Sequence, residues 1–138
     1  MSASIATLRR LARFYNTNIL ALFDPSEANP HHVLPAQRKI LEAGPGVRME
    51  LLAWGNTMME AHLFRVAPGG GSGESYSHEG EEFLYVLKGR LEITLAENEP
   101  HILKVGDSFY FDSSTRHQWK NPGKKEAAVI WINTPPTF

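Results

Sequence analysis

The sequence predicts an all-β domain with a short helical preface, and three observations carry that expectation. From Gln37 onward, apolar residues fall into nine short runs cut at close intervals by Gly, Pro and Asn turns. Helical spacing of apolar residues is confined to the first 23 positions. The chain of 138 residues has no Cys, yet its 42% hydrophobic share is enough to fill one core without covalent staples.

Taken in order, Ile5, Leu8, Leu11 and Ala12 recur at helical spacing within Ser4–Tyr15, with Arg9, Arg10 and Arg13 on the other side and Ser4 as a candidate N-cap. Asn16-Thr17-Asn18 ends this helix, and Ile19–Phe23 reads as a second short one. Asp24–Ala36 holds three prolines and no periodicity, so it reads as a linker. The expected division is therefore a helical segment over 1–23, a linker over 24–36 and a β domain over 37–138. The strand candidates are Gln37–Glu42, Val47–Ala53, Met58–Val66, Glu82–Leu87, Leu91–Leu95, His101–Val105, Ser108–Phe111, His117–Lys120 and Ala127–Ile132. Turn signals such as Gly44-Pro45-Gly46, Lys88-Gly89, Gly106-Asp107 and Asn121-Pro122-Gly123 separate them, as in an antiparallel sandwich or barrel. The Gly69–Gly73 run lacks the strand–helix setting of a phosphate loop and reads as a flexible lip of the barrel.

Charge and composition exclude several function classes. Fourteen Lys+Arg against 15 Asp+Glu give a net charge of −1, which argues against a basic nucleic-acid surface spread over the chain. The longest apolar run, Ala127–Ile132, is six residues, too short for a membrane span or a signal-peptide core, so a soluble cytoplasmic protein is expected. Without Cys, any metal must be held by imidazole, carboxylate, phenol or water.

Chemistry concentrates in Ser75–Gly89. His78 lies just before a strand and Glu82 at its start, with Gly80 between them. Alternation places Glu82, Leu84 and Val86 on one face of that strand, leaving Phe83, Tyr85 and Leu87 on the other. A carboxylate on an apolar interior face is costly unless paired or bound to a cation. His117 heads a later strand and shares its face with Trp119, a candidate pocket wall or core residue. His62 alternates with apolar neighbours and is a candidate for ligand contact or for a structural role; His101 follows a turn at an edge, and His31-His32 sit in the linker.

These two segments resemble the paired motifs of the cupin superfamily. The first motif, His-x-His, three or four residues, Glu, six residues, Gly, reads here Tyr76-x-His78, Glu82 and Gly89; the second, Gly, five residues, Pro-x-Gly, two residues, His, three residues, Asn, reads Gly106, Asp112-x-Ser114, His117 and Asn121, with Asp112 and Ser114 in place of its Pro and Gly. The resemblance spans about 100 residues and implies a small cupin β-barrel (double-stranded β-helix, or jelly roll) with a pocket between its sheets. It also implies a metal set of His78, Glu82 and His117, because Tyr76 stands where the family's leading histidine would be. Two imidazoles and a carboxylate suit Fe(II), Mn(II), Ni(II) or Zn(II) with positions left for substrate or water. The alternative is a metal-free site with both histidines hydrogen-bonded to Glu82, and Tyr76 lining the pocket as an aromatic wall.

The segments His78–Leu87 and Asn121–Phe138 further resemble the sensor domain of XRE-family transcriptional regulators, in which a helix-turn-helix domain of five helices precedes the cupin. Residues 4–23 resemble the last two of those helices, so the resemblance implies a sensor domain without its DNA-reading helices. Its implied partners are a small-molecule effector at Tyr76, Trp119, His62 or the metal, a second copy of the chain, and DNA only through the missing helices. No residue is assigned a catalytic role. The alternative is an enzyme: the chain is also similar to fosfomycin-forming cupin epoxidases, which use a His-Glu-His facial triad on Fe(II). An apolar outer face at Phe83, Tyr85 and Leu87 marks the expected homodimer contact.

Overall fold

The computed structural model describes residues 3–14, 32–54 and 58–136. Along the chain run β1 (Ala3–Ser4), α1 (Ile5–Phe14), a 3-10 turn (Pro35–Gln37), β2 (Lys39–Gly44), β3 (Val47–Leu51), β4 (Glu60–Val66), β5 (Glu81–Lys88), β6 (Arg90–Leu95), β7 (His101–Lys104), β8 (Ser108–Asp112), β9 (His117–Lys120) and β10 (Ala127–Thr134). Each of the nine predicted strands is present, with ends within two residues of expectation. The second predicted helix, Ile19–Phe23, lies outside the described residues, as does most of the linker.

Two sheets enclose the core. One has seven strands in the order β1-β2-β3-β4-β10-β5-β8, and the other has three in the order β7-β6-β9. All pairings are antiparallel except that of β1 with β2. Alternation decides which residues enter: in β5 Glu82, Leu84 and Val86 are buried while Glu81, Phe83, Tyr85 and Leu87 are exposed. In β9, His117 and Trp119 point inward together. The interior is filled by Met49, Leu51, Phe64, Leu91, Ile93, Trp119, Trp131 and their neighbours.

Registers set the site. Across β4, β10 and β5, Glu60, Asn133 and Glu82 lie in one inward row, with His62, Trp131 and Leu84 in the next. One end of the barrel is thus polar inside, and the rows beyond His62 are apolar. Gly80 makes the turn into β5 at φ +118°, where a side chain would run into the Thr134 carbonyl. That glycine lets the His78 loop close over the end of β10.

Two features differ from expectation. The Gly69–Gly73 run is no free lip: Gly69 and Ser72 donate to the Asn121 and Trp119 carbonyls at 3.0 and 2.9 Å, and Asn121 donates back to Gly70 at 2.8 Å. Gly71 approaches the Trp119 carbonyl so closely that a Cβ would overlap it. Glycine is used here to let two backbones meet. At the N-terminus, Ser4 belongs to β1, where it pairs with Glu42 while Ala3 pairs with Leu41. The strand ties α1 to the barrel, and Ile5 is buried in the core with Leu8 packed against it.

Candidate metal centre

The site is assembled from three places in the chain. His78 comes from the loop before β5, Glu82 from the inward face of β5, and His117 from the first position of β9. The backbones of Tyr76 and His117 exchange two hydrogen bonds, of 3.0 and 2.8 Å, and His78 N–H donates to the Ser113 carbonyl at 3.0 Å. This bonding holds the loop against the second sheet, so that both imidazoles reach one carboxylate.

Glu82 Oε2 stands 3.0 Å from His78 Nε2 and 3.2 Å from His117 Nε2. The ligand atoms of the three residues all lie within 4.8 Å of one another. Both rings are held from behind. His117 Nδ1 lies 2.7 Å from the Thr115 carbonyl and His78 Nδ1 lies 3.1 Å from the Glu79 carbonyl. A carbonyl oxygen only accepts, so each Nδ1 carries the proton and, in the neutral ring, each Nε2 turns a lone pair toward Glu82. The other carboxylate oxygen, Oε1, accepts from the Trp131 indole N–H at 2.7 Å.

With both rings neutral, three electron-pair donors converge here; a protonated ring instead donates its Nε2–H to Glu82. Glu82 Oε2 and His117 Nε2 are both buried and neither has a hydrogen-bond partner. Such a gathering in a dry interior calls for a cation, which an imidazolium or a bound metal ion supplies. Two ligand atoms each about 2.1 Å from a shared ion, and at right angles around it, stand about 3.0 Å apart. The observed separations match that spacing, and the backing carbonyls and indole are the outer partners that metal ligands use. The residues fit a divalent ion.

Without an ion the three groups pair with one another. Burial by itself would push the Glu82 carboxyl up, but His117, His78 and the Trp131 N–H together outweigh it and bring the group down to about 2. The Glu82 carboxylate in turn pushes the His78 imidazole up, against the opposing effect of its own burial.

A cavity of about 370 Å³ opens beside His78 and Glu82, and His117 is not among its lining residues. Phe64, Tyr76, Trp119 and Trp131 supply its aromatic walls. Phe64, Trp119 and Trp131 form a triangle with ring centroids 5.0 to 5.5 Å apart. The Tyr76 ring lies 4.3 Å from that of His117 and nearly parallel to that of His78, and its hydroxyl accepts from the Trp119 indole at 3.1 Å. Tyr76 thus serves as wall and brace.

Of the residues singled out in sequence, His78, Glu82, His117, Tyr76 and Trp119 are brought together. His62 is not among the lining residues; it is fully buried, 3.3 Å from Glu60, one row behind. Sequence reasoning missed Trp131, Asn133, Ser72 and Ile5, all of which line the cavity. Asn133 donates to Glu60 Oε1 at 3.1 Å. Period-two spacing of Trp131 and Asn133 in the last strand was the available signal, masked because Trp131 falls within an unbroken apolar run and Asn133 just beyond it.

Comparison with known proteins agrees with this fold. The Cupin_2 family model, a cupin domain, matches residues 62–133. The HTH-type transcriptional regulator PuuR of Escherichia coli K12 is 30% identical over 142 aligned positions, covering 100% of this chain and 76% of PuuR. Among solved structures, Fe(II) HppE superimposes with a TM-score of 0.65 at 22% identity, covering 93% of this chain and 74% of that one. The Cupin_2 domain of an XRE-family transcriptional regulator from Enterobacter cloacae gives 0.59 at 17% identity, covering 67% and 100%. With its barrel, its paired motif segments and a full-length relative, the chain belongs to the cupin domain family, as a relative of the regulator PuuR.

Proposed function

We propose that this chain is an effector-sensing cupin of an XRE-type transcriptional regulator, in which a divalent ion held by His78, Glu82 and His117 forms part of the effector pocket. The observation that carries the metal is the convergence of His78 Nε2 and His117 Nε2 on Glu82 Oε2, with each ring held from behind at Nδ1 by a backbone carbonyl. The relation to PuuR over the full chain supports the regulator reading. Fe(II), Mn(II), Ni(II) and Zn(II) all suit the donor set. A bound ion would supply a Lewis-acidic position for an oxygen or nitrogen atom of the effector. The residues of the chain do the rest: Tyr76, Trp119, Trp131 and Phe64 exclude water and shape the pocket, and Trp131 orients Glu82. Effector binding acts by preferring one of two arrangements of a homodimer. DNA contact belongs to helix-turn-helix residues joined to this cupin, and the setting is the cytoplasm.

Elemental analysis of protein purified without chelators tests the reading. One equivalent of a divalent metal per chain is expected, falling to background in His78→Ala. Absence of metal from the parent chain, after incubation with each of the four ions, overturns it.

A second reading, a mononuclear non-haem Fe(II) oxygenase, is favoured by the count of protein ligands: three leave positions for both a substrate and dioxygen. Substrate-dependent oxygen uptake by the iron-loaded chain would put this reading first.

A further inference from the structure

Beside the three candidate ligands lies a second set of buried polar groups that a metal ion there does not use. The register across β4, β10 and β5 sets Asn133 between Glu60 and Glu82. Glu60 and His62 are fully buried, with His62 Nε2 3.3 Å from Glu60 Oε2. The Asn133 amide nitrogen donates to Glu60 Oε1 at 3.1 Å. Three side chains from two neighbouring strands thus form one line, His62–Glu60–Asn133. It ends on the wall of the cavity, where Asn133 stands with Glu82 and His78.

That line fixes which way the Asn133 amide faces. A carboxylate oxygen only accepts, so the end of the amide turned toward Glu60 is its NH2. Glu60 is not among the residues lining the cavity, so the nitrogen end is committed on the side away from it. The carbonyl end is left over. Asn133 is only 4% exposed, and its Oδ1 is buried without a hydrogen-bond partner. An acceptor removed from water and left in that state costs about 1–3 kcal/mol, which a donor entering the cavity would recover.

The same row sets the chemistry of what fits. Two buried carboxylates, Glu60 and Glu82, flank Asn133, and its oxygen adds another acceptor. An anionic group placed there would meet like charge, and an ether or tertiary amine would bring no hydrogen to donate. A neutral or cationic N–H or O–H satisfies the position.

We infer that Asn133 is a specificity-determining residue of the pocket: its Oδ1 accepts a hydrogen bond from an N–H or O–H of the bound molecule. Glu60, held by His62, is the positioning residue that keeps this oxygen turned to the cavity. The ligand class is a small molecule that carries such a donor as well as an atom for the ion. The inference rests on the metal part of the functional reading.

Calorimetric titration of the Zn(II)-loaded full chain tests it with two pairs of probes, imidazole against 1-methylimidazole and pyrazole against 1-methylpyrazole. Each probe has a nitrogen for the ion, only the first of each pair has an N–H, and the two pairs place that N–H at different reach. In at least one pair the N–H member should bind about tenfold tighter, as one added hydrogen bond allows. Asn133→Leu keeps the volume and removes the acceptor, so the preference should fall to about twofold or less at unchanged zinc content. Glu60→Gln keeps the shape of the pair but offers Asn133 both a donor and an acceptor. Either end of the amide can then face the cavity, and the preference should drop to about half its parental value. A purely structural role for Glu60 would not move that ratio.

Equal binding within both pairs by the parent, or a preference that persists in Asn133→Leu, overturns the role of Asn133 and leaves the metal reading intact. A preference unaltered in Glu60→Gln overturns the positioning role of Glu60. A chain that takes up no Zn(II) overturns the metal reading and this inference together.

Discussion

Trp131 Nε1 donates to Glu82 Oε1 at 2.7 Å inside the barrel, and this bond decides which oxygen of the carboxylate faces the two histidines. With Oε1 occupied, Oε2 is the atom presented to His78 and His117. The two residues sit on neighbouring strands, one step off direct register, so the sheet itself holds the indole against the carboxylate. Trp131→Phe keeps most of the packing and removes the donor. Metal affinity should fall by about 10- to 100-fold while the fold persists. Competition titration of Zn(II) against a chromophoric chelator reads this, and an unchanged affinity would mean that the indole orients nothing.

Glu50 is held by three guanidinium groups on the outer face: Arg65 Nε at 2.6 Å, Arg38 at 3.1 Å and Arg48 at 3.2 Å. Burial would push its carboxyl up, but Arg65, Arg38 and Arg48 hold it below the usual carboxylate range. A group whose folded value is depressed contributes stability above its unfolded value of about 4.3, and loses it as the pH falls through the folded value. Glu50→Gln should therefore flatten the acid limb of a stability–pH curve and lower stability at neutral pH by about 2 kcal/mol, less than for a fully buried pair because the arginines remain partly in water. Urea melts at pH 7 and at successively lower pH give both quantities. Parallel curves for parent and variant would deny Glu50 this role.

Asn121, the last residue of the second motif, does not reach the metal site. Its amide donates to the Val66 and Lys125 carbonyls at 2.9 and 2.8 Å, and its oxygen accepts from Gly123 N–H at 2.8 Å. It locks the turn between β9 and β10. Asn121→Ala leaves buried backbone groups unsatisfied and should cost about 2–4 kcal/mol, read as a lowered midpoint in thermal melting. Metal binding at low temperature should survive. Loss of metal with no loss of stability would place Asn121 in the site after all.

Tyr76 occupies the position of a ligand in the four-ligand cupin pattern, and its ring already lies against both His78 and His117. Tyr76→His offers a third imidazole there. The Co(II)-loaded variant should show a visible spectrum shifted from that of the parent and a tighter hold on the ion. Identical spectra would show that the loop carries this position away from the metal.

Much of the barrel was legible because short strands with one buried face write their burial in alternation. Glu82, Leu84 and Val86 separated from Phe83, Tyr85 and Leu87 on that ground alone, and His117 and Trp119 fell on one face of β9 for the same reason. His78 and Glu82 stood out because they bracket a glycine turn into a strand, and the metal set with His117 was what the resemblance to the cupin motifs implied. Trp131 and Asn133 were not, because their roles come from strand pairing: only the register of β10 against β4 and β5 sets Asn133 between Glu60 and Glu82. The Gly69–Gly73 run was misjudged for a related reason. Glycine composition signals freedom, whereas here the missing side chains let the loop backbone press against that of β9.

Ile5 is the first residue of α1, a member of the core and a part of the cavity wall. The helix that leads into the barrel thus contributes a surface to the space where a small molecule would lie. Filling that space would cover Ile5 further, so the pocket and the docking of α1 share a contact.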